Sequence, residues 1–137
     1  MNEKKVEFNL TIWGVLFVLL AVLLGAFGAH GLKKWVDANA IASFDTGVRY
    51  QMYHGLALIL LANMGLITMR TKKTVALFFG IGTLLFSLSI YFLVIDDIFS
   101  ISLTKIAWIT PLGGLLLITG WVYLLIVLYR NGKTMQE

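Results

Sequence analysis

The run Leu10–Ala29, LTIWGVLFVLLAVLLGAFGA, carries no charge over 20 residues, and it decides which solvent this chain folds in. A bilayer core of ~30 Å is crossed by about 20 helical residues rising ~1.5 Å each. Three further uncharged runs of at least 20 residues follow: Tyr50–Met69, Thr74–Ile95 and Ile106–Tyr129. The expected fold is therefore all-α, a polytopic membrane protein in which four transmembrane helices form one bundle over residues 1–137. An amphipathic surface helix is expected between the first two spans.

Composition agrees. Hydrophobic residues make up 59% of the 137-residue chain and charged residues 13%, against about 25% charged in soluble domains. A chain this short has no interior large enough to hide that much apolar surface from water. There is no cysteine, which excludes disulfides, thiolate nucleophiles and cysteine-ligated metals. The net charge of +4 comes from lysines and arginines in short loops beside apolar spans. There they set orientation and meet anionic lipid, so no nucleic-acid partner is implied. The first run ends Ala26-Phe27-Gly28-Ala29, a small-x-small pattern that a signal peptidase accepts. The run is nevertheless longer than the ~7–15 residues of a signal core, and it is read as a retained helix.

The connecting segments alternate in charge. The N-terminus, second loop and C-terminus hold Lys4, Lys5, Arg70, Lys72, Lys73, Arg130 and Lys133, seven of the eleven basic residues. The other side holds Lys33, Lys34, Arg49 and Lys105. The positive-inside rule then places both termini in the cytoplasm and the protein in the cell membrane, with dual insertion as the competing reading. Between the first two spans, Leu32, Trp35, Val36, Ala40, Phe44 and Val48 recur at helical spacing. Asp37 suits a helix start, Asp45 and Arg49 form an i,i+4 pair, and Trp35 suits headgroup depth. This segment reads as the surface helix, which continues into the second span unless Gly47 interrupts it. The third loop, Asp96–Lys105, has apolar residues suited to the interface.

Helices in lipid associate by close packing along small-residue stripes. Gly14, Ala21, Gly25 and Gly28 share a face of the first span; Gly47, Gln51, His54, Leu58 and Gly65 share one of the second. Gly80, Thr83, Ser87 and Tyr91 do so on the third, and Gly113, Leu117, Gly120 and Leu124 on the fourth. Gly82 and Ser89 face the other way, which suits a homo-oligomer.

Unusual polarity gathers in the half of the bundle opposite the termini. His30 ends the first span, and Gln51 and His54 open the second. Asp96 and Asp97 end the third, and Thr110 and Pro111 lie just inside the fourth. Polar groups in a membrane are costly and face the bundle interior. The plain reading of His54 is a packing residue, hydrogen-bonded to Gln51, Tyr50 or a carbonyl freed by Pro111. His30 beside Gly31 satisfies the last carbonyls of its helix. Trp13, Trp35, Tyr50, Tyr53, Trp108 and Tyr129 read as interfacial belts.

Sharper readings compete with these. Two histidines ending consecutive helices suit axial haem ligation, or a divalent metal with the aspartates. A small-solute or ion pathway would pass Asn63. A proton-coupled transporter is disfavoured because no acidic residue lies inside a span, and no serine–histidine–carboxylate arrangement or phosphate loop stands at motif spacing.

Gly25-Ala26-Phe27-Gly28-Ala29-His30-Gly31-Leu32 resembles the first motif of the membrane proteins grouped as domain of unknown function 423, related to transmembrane protein 256 of animals. Phe44-Asp45-Thr46-Gly47-Val48-Arg49-Tyr50-Gln51-Met52-Tyr53-His54-Gly55-Leu56-Ala57 is similar to its second and most specific motif. Leu85–Tyr91 and Thr110–Gly114 are similar to its third and fourth, with Leu88 where a small residue is often found. The resemblance implies a four-span inner-membrane protein and directs attention to His30, Arg49, Tyr50, Gln51, His54 and Pro111; it carries no activity. Together the readings give a non-enzymatic protein that binds lipid, a partner membrane protein or a second copy of itself. Its expected pocket comprises His30, Arg49, Tyr50, Gln51, His54, Asp97 and Pro111, with no resident cofactor or metal.

Overall fold

The computed structural model describes residues 2–99 and 103–134; of Asp97, Leu103 and Thr104 only the backbone is described. Helix α1 spans Glu3–His30, with Asn2 as N-cap accepting from the Lys4 amide at 3.1 Å. At 28 residues it is about 42 Å long. Its buried residues, Val6, Gly14, Phe17, Ala21 and Gly28, form one narrow stripe, and the rest of its apolar surface is left to lipid. Gly31 keeps right-handed helical angles and leads into a 3₁₀ turn at Leu32–Lys34.

Helix α2 spans Ala38–Asn63, its start capped by Asp37, whose carboxylate accepts from the Ala40 amide at 2.8 Å. The surface helix expected over Leu32–Arg49 is thus a 3₁₀ turn and, after Trp35–Asp37, the first three turns of α2, which run unbroken into the second span. Gly47 does not interrupt it. It is buried, and a β-carbon there would lie 2.8 Å from the Tyr91 ring, so glycine permits a close crossing instead. The helix also ends earlier than the apolar run Tyr50–Met69 suggests. Met64 turns extended, Asn63 Nδ2 donates back to the Ile59 carbonyl at 2.8 Å, and Thr68 caps the next helix.

Helix α3, Met69–Thr83, passes through a π turn at Leu84–Leu88 into α4, Ser89–Phe99, as one rod. Residues 100–102 lie outside the described part, and a 3₁₀ turn at Leu103–Ile106 leads to α5, Ile109–Thr134. The π turn sits where α5 crosses most closely: a β-carbon on Gly113 would collide with the Phe86 amide and lie 2.8 Å from the Gly82 carbonyl. Widened turns of this kind relieve the helical ladder at such crossings. Ser89 Oγ answers a carbonyl there, donating to Phe86 O at 2.9 Å.

Contacts run antiparallel throughout. Gly14 meets Gly55, Gly25 meets Val48 and Gly28 meets Phe44 between α1 and α2; Gly82 meets Leu117 and Phe79 meets Gly120 between α3 and α5. The helices form a four-rod up-down bundle in which α1 packs chiefly on α2, α2 on the α3–α4 rod, and that rod on α5. Glu3–Lys34, Met69–Asp96 and Ile109–Thr134 are each long and apolar enough to cross a membrane. The 26-residue α2 is less apolar because it is the inner rod: it buries Ala40, Phe44, Gly47, Val48, Gln51, His54, Gly55, Ala57, Leu58, Leu61 and Ala62. A helix shielded from lipid by its neighbours tolerates glutamine and histidine that an outer helix would not.

Both faces of the α3–α4 rod are occupied, so the expected stripe is redistributed. Thr83, Ser87 and Tyr91 are buried, whereas a β-carbon on Gly80 would meet nothing within 4 Å. Gly82 and Ser89, read from sequence as an oligomer face, turn inward to Leu117 and Thr110. On α5 the buried residues are Gly113, Leu117, Gly120 and Leu124.

Candidate functional site

The polar centre is built on one face of α2. Gln51, 6% exposed, donates through Nε2 to the Phe17 carbonyl of α1 at 3.0 Å, and its Oε1 accepts from the Tyr91 hydroxyl of α4 at 2.9 Å. One turn earlier, Ser87 Oγ donates to the Gly47 carbonyl at 2.8 Å. One turn later, His54 Nδ1 lies 2.8 Å from the Tyr50 carbonyl, which accepts only, so that nitrogen carries the proton. Nε2 is then an acceptor, and the Trp121 indole of α5 donates to it at 3.1 Å. The His54 ring is walled by Phe79 at 5.2 Å and Trp121 at 6.1 Å, and Tyr50 packs on Phe86 at 4.5 Å. Gln51 and His54 therefore join α2 to α1, α4 and α5 with every side-chain nitrogen and the amide oxygen partnered. Such interhelical bonds fix register and contribute about 0.6 kcal/mol each on average in membranes.

The remaining expected pocket residues do not converge on this centre. Contacts from Gly55 and Gln51 place His54 level with Phe17 on α1. His30 stands thirteen residues further along that helix, about 20 Å away. Its ring is exposed and lies 3.3 Å from the Ala26 carbonyl. The two imidazoles are thus at different depths, His54 near mid-bundle rather than at the end opposite the termini, because α2 begins at Ala38 rather than Tyr50. Arg49 is exposed and paired with Asp45. Tyr50 is half-exposed, Pro111 is exposed in the first turn of α5, and the Asp97 side chain lies outside the described residues.

A different constellation forms at the His30 end. A cleft of about 500 Å³ lies between the first turns of α2, the end of α4 and the start of α5. Asp37, Asn39, Ser43 and Thr46 line one wall, and Asp96 and Thr110 the other. Asp96 Oδ1 is buried with no hydrogen-bond partner among the described residues. A carboxylate oxygen left unpaired and dry costs free energy comparable to a lost charged hydrogen bond. From the sequence, Asp96 reads as no more than the end of the third span. The missing signal was the length of α2, which brings Asn39–Thr46 alongside it.

Two further features escaped the sequence. Trp121 lies in mid-helix, away from the interfacial belts; an indole N–H at that depth requires an acceptor, and this was the available cue. Lys72 is 4% exposed, its Nζ 2.6 Å from Glu7 Oε1 and 2.8 Å from the Ala62 carbonyl. It shares the i+3, i+4, i+7 face of Val75, Ala76 and Phe79, the buried side of α3. At the Asn63 end it therefore ties α1, α2 and α3 together.

Comparison with known proteins agrees with this architecture. The family described as protein of unknown function DUF423 matches residues 24–114. A UPF0382 membrane protein of Haemophilus influenzae is 42% identical over 106 residues, covering 75% of this chain and 79% of its own. One from Staphylococcus aureus is 35% identical over 119 residues, covering 87% and 93%, and YwdK of Bacillus subtilis is 37% identical over 117, covering 84% and 91%. No solved structure matches. The motifs around His30 and His54 fall within the matched residues, and the chain belongs to the DUF423 family of membrane proteins.

Proposed function

We propose that this protein is a non-catalytic binder of membrane lipid, and that the cleft at the His30 end takes an amine-bearing headgroup. The observation that carries this reading is Asp96 Oδ1, buried and unpartnered among the described residues, in a cleft that also presents the Asp37 carboxylate, the Asn39 amide and three hydroxyls beside apolar Ala40, Ile90, Leu93 and Val94. A primary ammonium donates three hydrogen bonds and neutralises a carboxylate. Asn39, Ser43, Thr46 and Thr110 supply polar contacts for the adjoining phosphate ester. Trp35 and Trp108, both exposed at this end, suit headgroup depth.

Rival readings have less support. A haem or metal shared by His30 and His54 would need them together, and the His54 Nε2 lone pair already accepts from Trp121. A solute pathway would cross a centre filled by Leu61, Val75 and Phe79, each at most 1% exposed. In this reading the Asn63 end faces the cytoplasm of the cell membrane. With Lys72 paired internally to Glu7, the remaining basic residues are six at that end against four at the other, still in the direction of the rule.

The test is native mass spectrometry of the protein in mild detergent with phosphatidylethanolamine or phosphatidylcholine of matched chains, the choline ammonium having no N–H to donate. Wild type retains the ethanolamine lipid preferentially, and Asp96→Asn loses that preference while keeping its thermal stability. Equal retention of the two lipids by wild type, or an unchanged preference in Asp96→Asn, contradicts the proposal.

A further inference from the structure

A separate feature lies in the other half of the bundle. Beyond the Glu7–Lys72 pair that joins them at the Asn63 end, helices α1 and α3 flank α2 without closing on each other, leaving an apolar groove of about 390 Å³. Leu10, Trp13 and Phe17 form one wall, Leu77, Gly80 and Leu84 the other, and Leu58 of α2 the floor. Gly80 is the anomaly. Gly14, Gly55, Gly82, Gly113 and Gly120 are all pressed against neighbouring atoms, but a β-carbon on Gly80 would meet nothing within 4 Å. A glycine in mid-helix weakens that helix relative to alanine, and no protein atom here uses the space it leaves.

The geometry points to a phospholipid with an anionic headgroup as the occupant, one acyl chain lying in the groove against Gly80. Three observations favour it. The floor is narrow, the single α2 residue Leu58 between the two walls, which admits a hydrocarbon chain but not a helix about 10–12 Å across. The length fits one leaflet, since Lys73 to Leu84 on this helix is about 16 Å and half a bilayer core is about 15 Å. The charge fits as well. Exposed Arg70 and Lys73 precede Leu77 by seven and four residues, so the groove's stripe on α3 runs up to two cations at the Asn63 end. The N-terminus of α3, capped by Thr68, adds its positive dipole there.

The experiment compares phosphatidylglycerol and phosphatidylcholine of matched chains by native mass spectrometry of the protein in mild detergent. Wild type holds one phosphatidylglycerol at a concentration about tenfold below that required for phosphatidylcholine. Glycerol phosphate, a headgroup without a chain, does not compete. Gly80→Leu, whose side chain fills the groove, loses the bound lipid without losing thermal stability, and Gly80→Ala keeps it. Arg70→Gln with Lys73→Gln brings phosphatidylglycerol down to the level of phosphatidylcholine, and Asp96→Asn leaves this site unchanged. Phosphatidylglycerol retention in Gly80→Leu equal to wild type overturns the assignment, as does any loss of stability in that variant. A dimer peak abolished by Gly80→Leu would overturn it too, giving the groove to a second copy of the chain.

Discussion

The indole nitrogen of Trp121 donates to Nε2 of His54 across 3.1 Å, joining the last helix to the most polar one. The other imidazole nitrogen is held by the Tyr50 carbonyl at 2.8 Å, so the ring is a neutral bridge with both nitrogens occupied. In the middle of a bundle this arrangement specifies register between α2 and α5, and it accounts for a histidine at that depth without a ligand.

A double-mutant cycle tests the bridge. Trp121→Phe leaves the Nε2 acceptor unpaired and is expected to cost about 1 kcal/mol, and His54→Ala about 2–3 kcal/mol with its cavity included. Their coupling, measured by unfolding in mixed micelles, is expected at about 0.5–1.5 kcal/mol. Strict additivity would show that the pair does not interact.

Gln51 is the second fastening, and its two bonds reach different helices. Tyr91→Phe removes only the hydroxyl donor to Oε1 and is expected to cost about 1 kcal/mol. Gln51→Leu also releases the Phe17 carbonyl and strands the Tyr91 hydroxyl, so its loss is larger, about 2–3 kcal/mol. Equal stability of Gln51→Leu and wild type in the same assay would remove this residue from the account.

The glycines separate into two groups. Gly113→Ala sets a methyl against the Phe86 amide and 2.8 Å from the Gly82 carbonyl, both backbone, and is expected to cost about 1–3 kcal/mol. Gly80→Ala meets open space and is expected to stabilise the helix by up to about 1 kcal/mol. Thermal unfolding in detergent distinguishes them, and the reverse ranking contradicts the packing described.

Much of the architecture was legible in the sequence because lipid imposes a coarse rule. A run such as Leu10–Ala29 has few alternatives to a spanning helix, and the stripe Gly113, Leu117, Gly120, Leu124 repeats at the period of a helix that buries one face. What was not legible depended on neighbours. Gly80 and Gly82 differ by two positions, and only the placement of the rod between α2 and α5 decides which of them is pressed against protein. The start of α2 at Ala38, set by the Asp37 cap, moved His54 to mid-bundle and Asn39–Thr46 to the cleft beside Asp96. A span boundary drawn from hydropathy alone hides this, since polar residues on an inner helix lower its apolarity.

Lys72 illustrates the same limit at the other end, because a lysine next to a loop looks solvated until its face is known. Lys72→Ala removes the partner of Glu7 and of the Ala62 carbonyl together and is expected to cost about 3 kcal/mol. Glu7→Gln keeps a neutral acceptor and should cost less. Unfolding in detergent would rank the two variants, and limited proteolysis would show the N-terminal turns of α1 cut sooner in Lys72→Ala. Unchanged cleavage in that variant would mean that the pair does not anchor α1.

The central claim is that α2, the least apolar rod, crosses the membrane between its neighbours. The natural chain has no cysteine, so single cysteines placed at Lys5, Lys34, Lys73 and Lys133 can be probed in intact cells with a membrane-impermeant maleimide. Position 34 is expected to label from outside, and positions 5, 73 and 133 only after permeabilisation. If positions 34 and 73 label from the same side, α2 does not cross and the four-helix arrangement is contradicted.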